Sequence, residues 1–410
     1  MELEAAKFLN TLMQKALAAV KPDQLIRAHL ADLHNQPQTV VGFGKAAAHM
    51  ALAVEQELGK AAQGLVVVPY GYEASCKWIK VMSARHPVPD TAGVLATTKI
   101  IKTLNHSDGP ILALVSGGGS SVLCAPADFI TLEEKQTIIS QLLAKGTPIT
   151  QLNSVRGALS KVKVGGLAQI IGNRRVRVLV LSDVAGDDPH VVASGPFFSQ
   201  TPNGAQCLTI LDKAKITISN HIRQNLHRLD GQAVHQSNMD TKIIGCGATA
   251  LSAAENWAIS QGVRVHNLSD THEASAEELA KTHLEQINQH RSQHIQLFLS
   301  GGEATVEVVG GGQGGPNRHF LLHLAAILPV DQNIAALAID TDGRDGSDAE
   351  AGAWFTNEML GVDGLGLQEA LINCNSGPFF KNLGTSIHLG ATGTNVNDFR
   401  AILTWPKTAP

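Results

Sequence analysis

The sequence predicts an α/β protein with two α/β domains and mainly parallel sheets, on three observations. Short Val-, Ile- and Leu-rich runs with little polar alternation recur along the chain, the pattern of strands buried on both faces. Stretches of helical period separate them, and alternating β and α units imply parallel strands joined by right-handed crossovers. At 410 residues the chain exceeds one ordinary core, so two domains are expected.

Taken in order, the predicted strands are residues 39–43, 64–68, 111–115, 176–181, 242–244, 295–299 and 334–339. The clearest helical stretches are 45–58, 131–144, 249–260 and 276–290. Segment 200–240 carries Pro202, Asn203 and Gly204, then a polar stretch with no apolar run long enough for a buried strand. The boundary is placed there, giving domains 1–237 and 238–410. The halves use similar strand-to-loop units: Ile111-Leu-Ala-Leu-Val-Ser-Gly-Gly-Gly119 resembles Ile295-Gln-Leu-Phe-Leu-Ser-Gly-Gly-Glu303.

Composition narrows the function. Hydrophobic residues at 44% and charged residues at 17% fit a soluble chain with large cores. A net charge of −4 supplies no general pull toward nucleic acid or anionic membrane. No apolar run approaches the ~20 residues of a membrane helix. The acidic, amphipathic start Met1-Glu-Leu-Glu-Ala-Ala-Lys7 is unlike a signal peptide, so a cytoplasmic location is expected. The five cysteines (Cys76, Cys124, Cys207, Cys246 and Cys374) are scattered and lack C-x-x-C spacing. They read as small hydrophobes, with no disulfide framework or zinc site.

The strongest local signal is Ser116-Gly-Gly-Gly-Ser-Ser121, directly after a predicted buried strand. Residues without bulk let backbone N–H groups converge on an anion, and a following helix start adds partial positive charge. It is not a Walker A loop, since that spacing and its lysine are absent. The plainer alternative, a tight turn, does not call for three consecutive glycines with their entropic cost. Gly42-Phe-Gly-Lys-Ala-Ala47 fits G-x-G-x-x-A after a strand, a pattern shared with dinucleotide-binding turns. Its Lys45 falls where a helix begins and is suited to a phosphoryl group or a substrate carboxylate.

Ser182-Asp-Val-Ala-Gly-Asp-Asp-Pro189 places Asp183, Asp187 and Asp188 after another strand, where α/β enzymes put metal ligands and bases. Asp187 and Asp188 could equally stabilise the turn before Pro189. Asn153, Arg156 and Lys163 recur at helical spacing, either on one functional face or on a solvated one. In the second half, Ser300-Gly-Gly-Glu303 is followed by Gly310-Gly-Gly-Gln-Gly-Gly-Pro-Asn-Arg318 and a helical stretch, again aiming amides and a helix start at one point. Asp340, Asp342, Asp345 and Asp348 follow within one run that lacks EF-hand spacing; turn stabilisation is the alternative to metal binding. His86-Pro-Val-Pro-Asp90 is a rigid loop to which no chemistry is assigned. No G-x-S-x-G elbow or Cys/His pair declares a nucleophile.

Together these residues resemble the class II glycerate kinases, whose C-terminal part is called the MOFRL domain. The markers are Gly42-Phe-Gly-Lys-Ala46, His86-Pro-Val-Pro-Asp90, Ser116-Gly-Gly-Gly-Ser-Ser121, Leu152-Asn-Ser-Val-Arg156, Ser182-Asp-Val-Ala-Gly-Asp-Asp-Pro189, Ser300-Gly-Gly-Glu303, Asp342-Gly-Arg-Asp-Gly346 and Thr392-Gly-Thr-Asn-Val-Asn-Asp398. The resemblance implies ATP-dependent phosphorylation of D-glycerate, typically on the 2-hydroxyl, with Mg²⁺. It implies a Rossmann-like N-terminal domain, a MOFRL domain and an active site in the cleft between them.

By position it makes Lys45, Asp183 and Arg318 catalytic. It makes Ser116, Gly117, Gly118, Gly119, Ser120 and Ser121 the phosphate-binding loop, and the other glycine-rich turns add Gly42, Gly44, Gly301, Gly302, Glu303 and Asn317 as expected nucleotide contacts. Substrate falls to Lys45, Asn153, Arg156 and Lys163, and metal to Asp183, Asp187 and Asp342. Asp183 would either orient the attacking hydroxyl or hold the metal. Two departures stand out. The family's Gly-Gly-Arg-Asn-x-Glu is Gly314-Gly-Pro-Asn-Arg-His319 here, making Arg318 the stand-in for the arginine absent at Pro316. Its Lys-Gly-Gly is Lys163-Val-Gly165 here. The rival reading is an NAD(P)-dependent hydroxypyruvate reductase, resting on Gly42-x-Gly-x-x-Ala47. The expected partners are D-glycerate and a nucleotide, and a homodimer is the assembly allowed for.

Overall fold

The computed structural model describes residues 2–34, 36–198, 203–229, 238–306, 312–329, 333–346, 348–360 and 365–406. The boundary expected at 237/238 falls against residues 230–237, and Gly310 of the second glycine run also lies outside the described residues. The chain forms two compact units. One is an N-terminal lobe (Leu25–Ser182 and Asp187–Ile244), the other a C-terminal lobe (Met1–Gln24, Asp183–Gly186 and Gly245–Pro410).

The N-terminal lobe is built on β1 (Gln38–Phe43), β2 (Ala62–Pro69), β3 (Ile79–Ala84), β4 (Ile111–Ser116), β5 (Val176–Leu181) and β6 (Met239–Gly245). They form one sheet in the order β3-β2-β1-β4-β5-β6. The pairs β1–β2, β1–β4, β2–β3 and β4–β5 are parallel, with Phe43 beside Val115. β4 is buried along its whole length, as its unbroken apolar run requires. This order reverses between β1 and β4, and ligands of doubly wound sheets bind at the carboxyl ends of the strands flanking such a reversal. Beside the sheet, helices Leu132–Ala144, Ile149–Ala158 and Gly204–Lys213 share a smaller core around Ile138, Leu142, Val155, Leu208 and Leu211. The first of these helices starts in a capping box, Thr131 with Glu134.

The C-terminal lobe holds β7 (Arg264–Ser269), β8 (Glu273–Ser275), β9 (Gln296–Ser300), β10 (Glu303–Thr305), β11 (Asn333–Asp340), β12 (Gly352–Thr356), β13 (Ser386–Ile387) and β14 (Asp398–Trp405). Six of them order as β13-β12-β11-β14-β9-β7, and β8 pairs with β10. The parallel expectation gives way in this lobe to a mixed sheet. Only β7–β9 in the six-stranded sheet is parallel; β12–β13, β11–β12, β11–β14 and β14–β9 are antiparallel. The reason is local: β11 leads into β12 through the aspartate-rich run, with no crossover helix among the described residues between them. Helices Ala276–Gln289 and Pro316–Ile327 cover one core, packing Phe320 and Leu324 with Phe298, Ala336 and Phe355. Helices Glu2–Ala19 and Gly247–Ser260 pack together and against β14.

All five cysteines are free, and burial pushes the Cys76 and Cys207 thiols up to about 11 and about 12. No described helix is long and apolar enough to cross a membrane.

Candidate active site

At the reversal, the turn after β1 is folded against the loop after β4. Lys45 N–H donates to Gly117 C=O at 2.8 Å and Ala46 N–H to Ser116 Oγ at 3.0 Å. Gly42 and Gly44 serve this packing: a Cβ on Gly42 would lie 2.8 Å from Leu114 O, and one on Gly44 2.3 Å from Ser116 O. Gly44 N–H donates to Val67 C=O. The amides of Gly44, Lys45 and Ala46 in the G-x-G-x-x-A turn are therefore engaged by the protein. What the turn does is deliver Lys45.

The Ser116–Gly119 backbone behaves differently. Gly118 has φ +74°, a left-handed conformation open to glycine. A Cβ there would lie 3.1 Å from Lys45 Cγ and 3.4 Å from His86 Nε2. Among the described residues, no acceptor receives the N–H of Gly117, Gly118 or Gly119. Ser121 Oγ closes the loop by donating to Gly118 C=O at 3.1 Å. Unengaged amides beside a lysine, at the carboxyl ends of β1 and β4, give this loop the geometry of a cradle suited to an anion, which any side chain at Gly118 would crowd.

The loop continues into a polar chain. Ser120 Oγ lies 2.8 Å from Ser194 Oγ, which donates to Asn153 Oδ1 at 3.1 Å; Arg156 reaches the same Oδ1 at 3.4 Å. Lys163 donates to Ser120 O at 2.5 Å and to Ser120 Oγ at 3.2 Å. Asn153, Arg156 and Lys163 are thus linked through Ser194 and Ser120, although only the first two lie in helix Ile149–Ala158 and the three do not share one helical face. Lys163 arrives through a turn in which Val164 has φ +53°, the position where the resemblance expects glycine. Burial holds the Lys163 ammonium well below the ordinary lysine range, and repulsion from Lys135 and Arg156 lowers it further. Burial also brings Arg156 down to about 10.

In the C-terminal lobe the predicted ligands fare otherwise. Gly301 N–H donates to Ser269 C=O, Glu303 N–H to His272 C=O and Ala304 N–H to Asp398 Oδ2. Gly302, at φ +84°, would place a Cβ 2.1 Å from His272 O, so its glycine answers crowding by the neighbouring backbone. The helix start at Pro316 already holds an anion, the carboxylate of Asp345. It accepts from Asn317 N–H at 2.9 Å and from Arg318 N–H at 3.0 Å.

Arg318 is 1% exposed and paired to Asp345 and Asp348 at 3.0 and 2.7 Å, with Glu350 at 3.6 Å. Its guanidinium is thus held by three carboxylates of its own lobe, the surroundings in which the catalytic expectation for Arg318 has to be read. Asn317 is likewise buried, donating to Asp398 Oδ1 at 2.5 Å. Glu303 is exposed.

Asp183 and Asp342 belong to this lobe. Asn395 donates to Asp183 Oδ2 at 3.0 Å and Asn397 to Asp183 O at 2.5 Å, while Thr341 N–H donates to Asn397 C=O. Asn397 thereby ties the segments carrying Asp183 and Asp342 together. Asp342, buried, accepts from Arg344 N–H at 2.8 Å. Asp187 lies in the N-terminal lobe at φ +53°, and Asp188 accepts from His190 N–H in the turn.

Residues 8–227 match a family model described as a domain of unknown function, DUF4147, and residues 296–398 match the MOFRL family. The chain is 32% identical over 405 residues to the D-glycerate 2-kinase of Thermotoga maritima, covering 96% of each chain. The crystal structure of glycerate kinase from Thermotoga maritima matches with a TM-score of 0.85 at 30% identity, covering 98% of this chain and 99% of that one. The chain belongs to the glycerate kinase family. A relative from Agrobacterium vitis, provisionally named hydroxypyruvate reductase, is 33% identical over 98% of this chain and 95% of its own. Membership in the kinase family makes the chain an enzyme that uses a nucleotide and a small-molecule substrate.

Three residues by the cradle, its polar chain or the helix that carries Asn153 were given no role in the sequence reading. His86 was visible as the head of a proline-stiffened loop. Ser194 carries no local signal. Lys135 does: it occupies an apolar-stripe position with Ile138, Ile139 and Leu142, where a lysine is out of place.

Proposed function

We propose that the protein transfers the γ-phosphoryl group of ATP to D-glycerate, on the 2-hydroxyl, with Mg²⁺, in the cytoplasm. The observation that carries this reading is the cradle: the unengaged amides of Gly117, Gly118 and Gly119 next to Lys45. Phosphoryl transfer needs positioning and charge neutralisation more than covalent chemistry, and amides and a lysine provide both. In this reading Ser116, Ser120 and Ser121 shape the loop, Lys45 meets the transferred phosphoryl group, and Asn153, Arg156 and Lys163 hold the acceptor substrate. Mg²⁺ supplies charge neutralisation on the phosphates, and the all-oxygen donors Asp183 and Asp342 suit it. Asp183, steadied by Asn395, holds the metal or orients the attacking hydroxyl; Asp187 is retained only as a further carboxylate for the metal. The kinase names of relatives spanning nearly the whole chain support the same reading.

The reductase alternative needs the turn after β1 to grip a pyrophosphate, and the amides of that turn are engaged internally. Incubation with D-glycerate, ATP and MgCl₂, followed by ADP release and phosphorus NMR of the product, tests the proposal. ADP with a 2-phosphorylated product is expected. NADH oxidation by hydroxypyruvate without ADP formation would overturn it.

A further inference from the structure

Lys135 belongs to no motif and to none of the assignments above, yet it is 2% exposed, and Lys163 is 3% exposed. Lys135 Nζ donates to Leu159 C=O at 2.8 Å, the carbonyl that follows the helix carrying Asn153 and Arg156. Each buried cation costs several kcal/mol unless an opposite charge meets it. Among the described residues no carboxylate meets Lys135, Arg156 or Lys163; the nearby Lys161 takes Asp128 for itself. The other titratable group acting on Lys135 and Lys163 is the buried Cys124 thiol. In the C-terminal lobe both fully buried arginines are matched by carboxylates, Arg318 by Asp345 and Arg400 by Asp398. A second observation bears on the same place. Ala193 and Ser194 are consecutive non-glycine residues at φ +53° and +63°, a strained backbone that sets Ser194 Oγ between Ser120 and Asn153.

We propose that Lys135, Arg156 and Lys163 form a cationic seat, largely withdrawn from water, for the carboxylate of the acceptor hydroxy acid, Lys135 contributing charge rather than contact. The inference rests on the proposed function for the identity of the acid. Asn153, Ser194 and Ser120 supply the neutral hydrogen-bonding groups that orient it. Such a seat favours an acid over a simple polyol, because only a carboxylate offsets the cations. Burial, with repulsion from Arg156 adding to it, brings Lys135 down to about 8, so an arriving anion draws protons onto the cluster at mildly alkaline pH.

Calorimetric titration of the full chain with D-glycerate at about pH 8.5, in two buffers of different protonation enthalpy, reads this directly. Net proton uptake is expected, with glycerol failing to bind. Lys135→Met weakens D-glycerate binding and raises its KM about tenfold, leaving kcat and the KM for ATP within about twofold, as expected for losing one nearby charge. It also reduces the uptake and raises the melting temperature, because it removes an unpaired buried charge. Lys161→Ala changes none of these. Unaltered D-glycerate affinity in Lys135→Met, loss of affinity only together with a lowered melting temperature, or a shift of the Lys135 dependence to ADP overturns the seat. If the Lys135 effects on binding appear in a chain that phosphorylates no glycerate, the functional reading alone has failed. Turnover with an unmoved D-glycerate KM sinks the seat alone.

Discussion

The loops after β4 and after β9 both read Ser-Gly-Gly, and both follow a strand buried along its whole length. After β4 the glycine amides have no acceptor among the described residues, Gly118 leaves room against Lys45, and no described carboxylate meets the buried Lys135 and Lys163 or the half-buried Arg156. After β9 the amides of Gly301, Glu303 and Ala304 are bonded, and the buried arginines Arg318 and Arg400 meet Asp345 and Asp398. One loop is short of an anion; the other has been given anions by its own chain. A glycine run alone therefore does not separate a ligand grip from a crowded backbone. The distinction lies in whether the protein supplies the negative charge itself.

The largest effects that can break this comparison come from the internally matched side. Arg318→Met strands Asp345 without its partner and should cost about 3–5 kcal/mol of stability, measured by urea denaturation, with the KM for ATP of the folded enzyme unchanged. A stable Arg318→Met protein that has lost ATP affinity would move the nucleotide to the C-terminal lobe. Next is Lys45→Ala, expected to lower kcat about 10²–10³-fold while the melting temperature moves by no more than a few degrees. Retained turnover would remove Lys45 from the chemistry.

A pH series sharpens the contrast on the unmatched side. Folded Lys135, at about 8, holds its proton more weakly than an unfolded lysine at 10.5. Between those values the unfolded state binds more protons, so stability rises with pH as a penalty fully present below about pH 8 is lifted. The lifted penalty is up to about 3 kcal/mol. Lys135→Met should lack this share of the rise, and identical stability profiles for the two proteins would contradict it. The smallest effect is Gly118→Ala. The left-handed backbone costs about 1–2 kcal/mol, and the methyl presses on Lys45, so stability falls slightly while the KM for ATP rises. Gly302→Ala meets His272 O instead and should lower stability more, leaving that KM alone.

Much of the N-terminal sheet was legible because most of its strands are uninterrupted apolar runs joined by helices, a pattern that implies parallel pairing; β3 was missed. Lys45 and the Ser116-Gly-Gly-Gly run were legible for a related reason, since both sit at strand ends. In the C-terminal lobe, β14 was missed although it is central and buried. It carries Asp398 and Arg400 in a strand whose burial is made tolerable by their pairing, and no periodicity rule anticipates that. The parallel expectation failed there because the connection between β11 and β12, residues 341–351, is too short for the crossover a parallel pair needs. Arg318 was assigned a catalytic role as the stand-in for the arginine absent at Pro316; its carboxylates arrive from residues 27 to 32 positions downstream, a distance sequence spacing does not resolve.

Hydrogen exchange by mass spectrometry, with and without a non-hydrolysable ATP analogue and MgCl₂, tests most directly which loop grips the nucleotide. The cradle predicts slowed exchange in peptides spanning 116–121 and little change across 300–305. Protection confined to 300–305, with 116–121 exchanging as in the free enzyme, would contradict it.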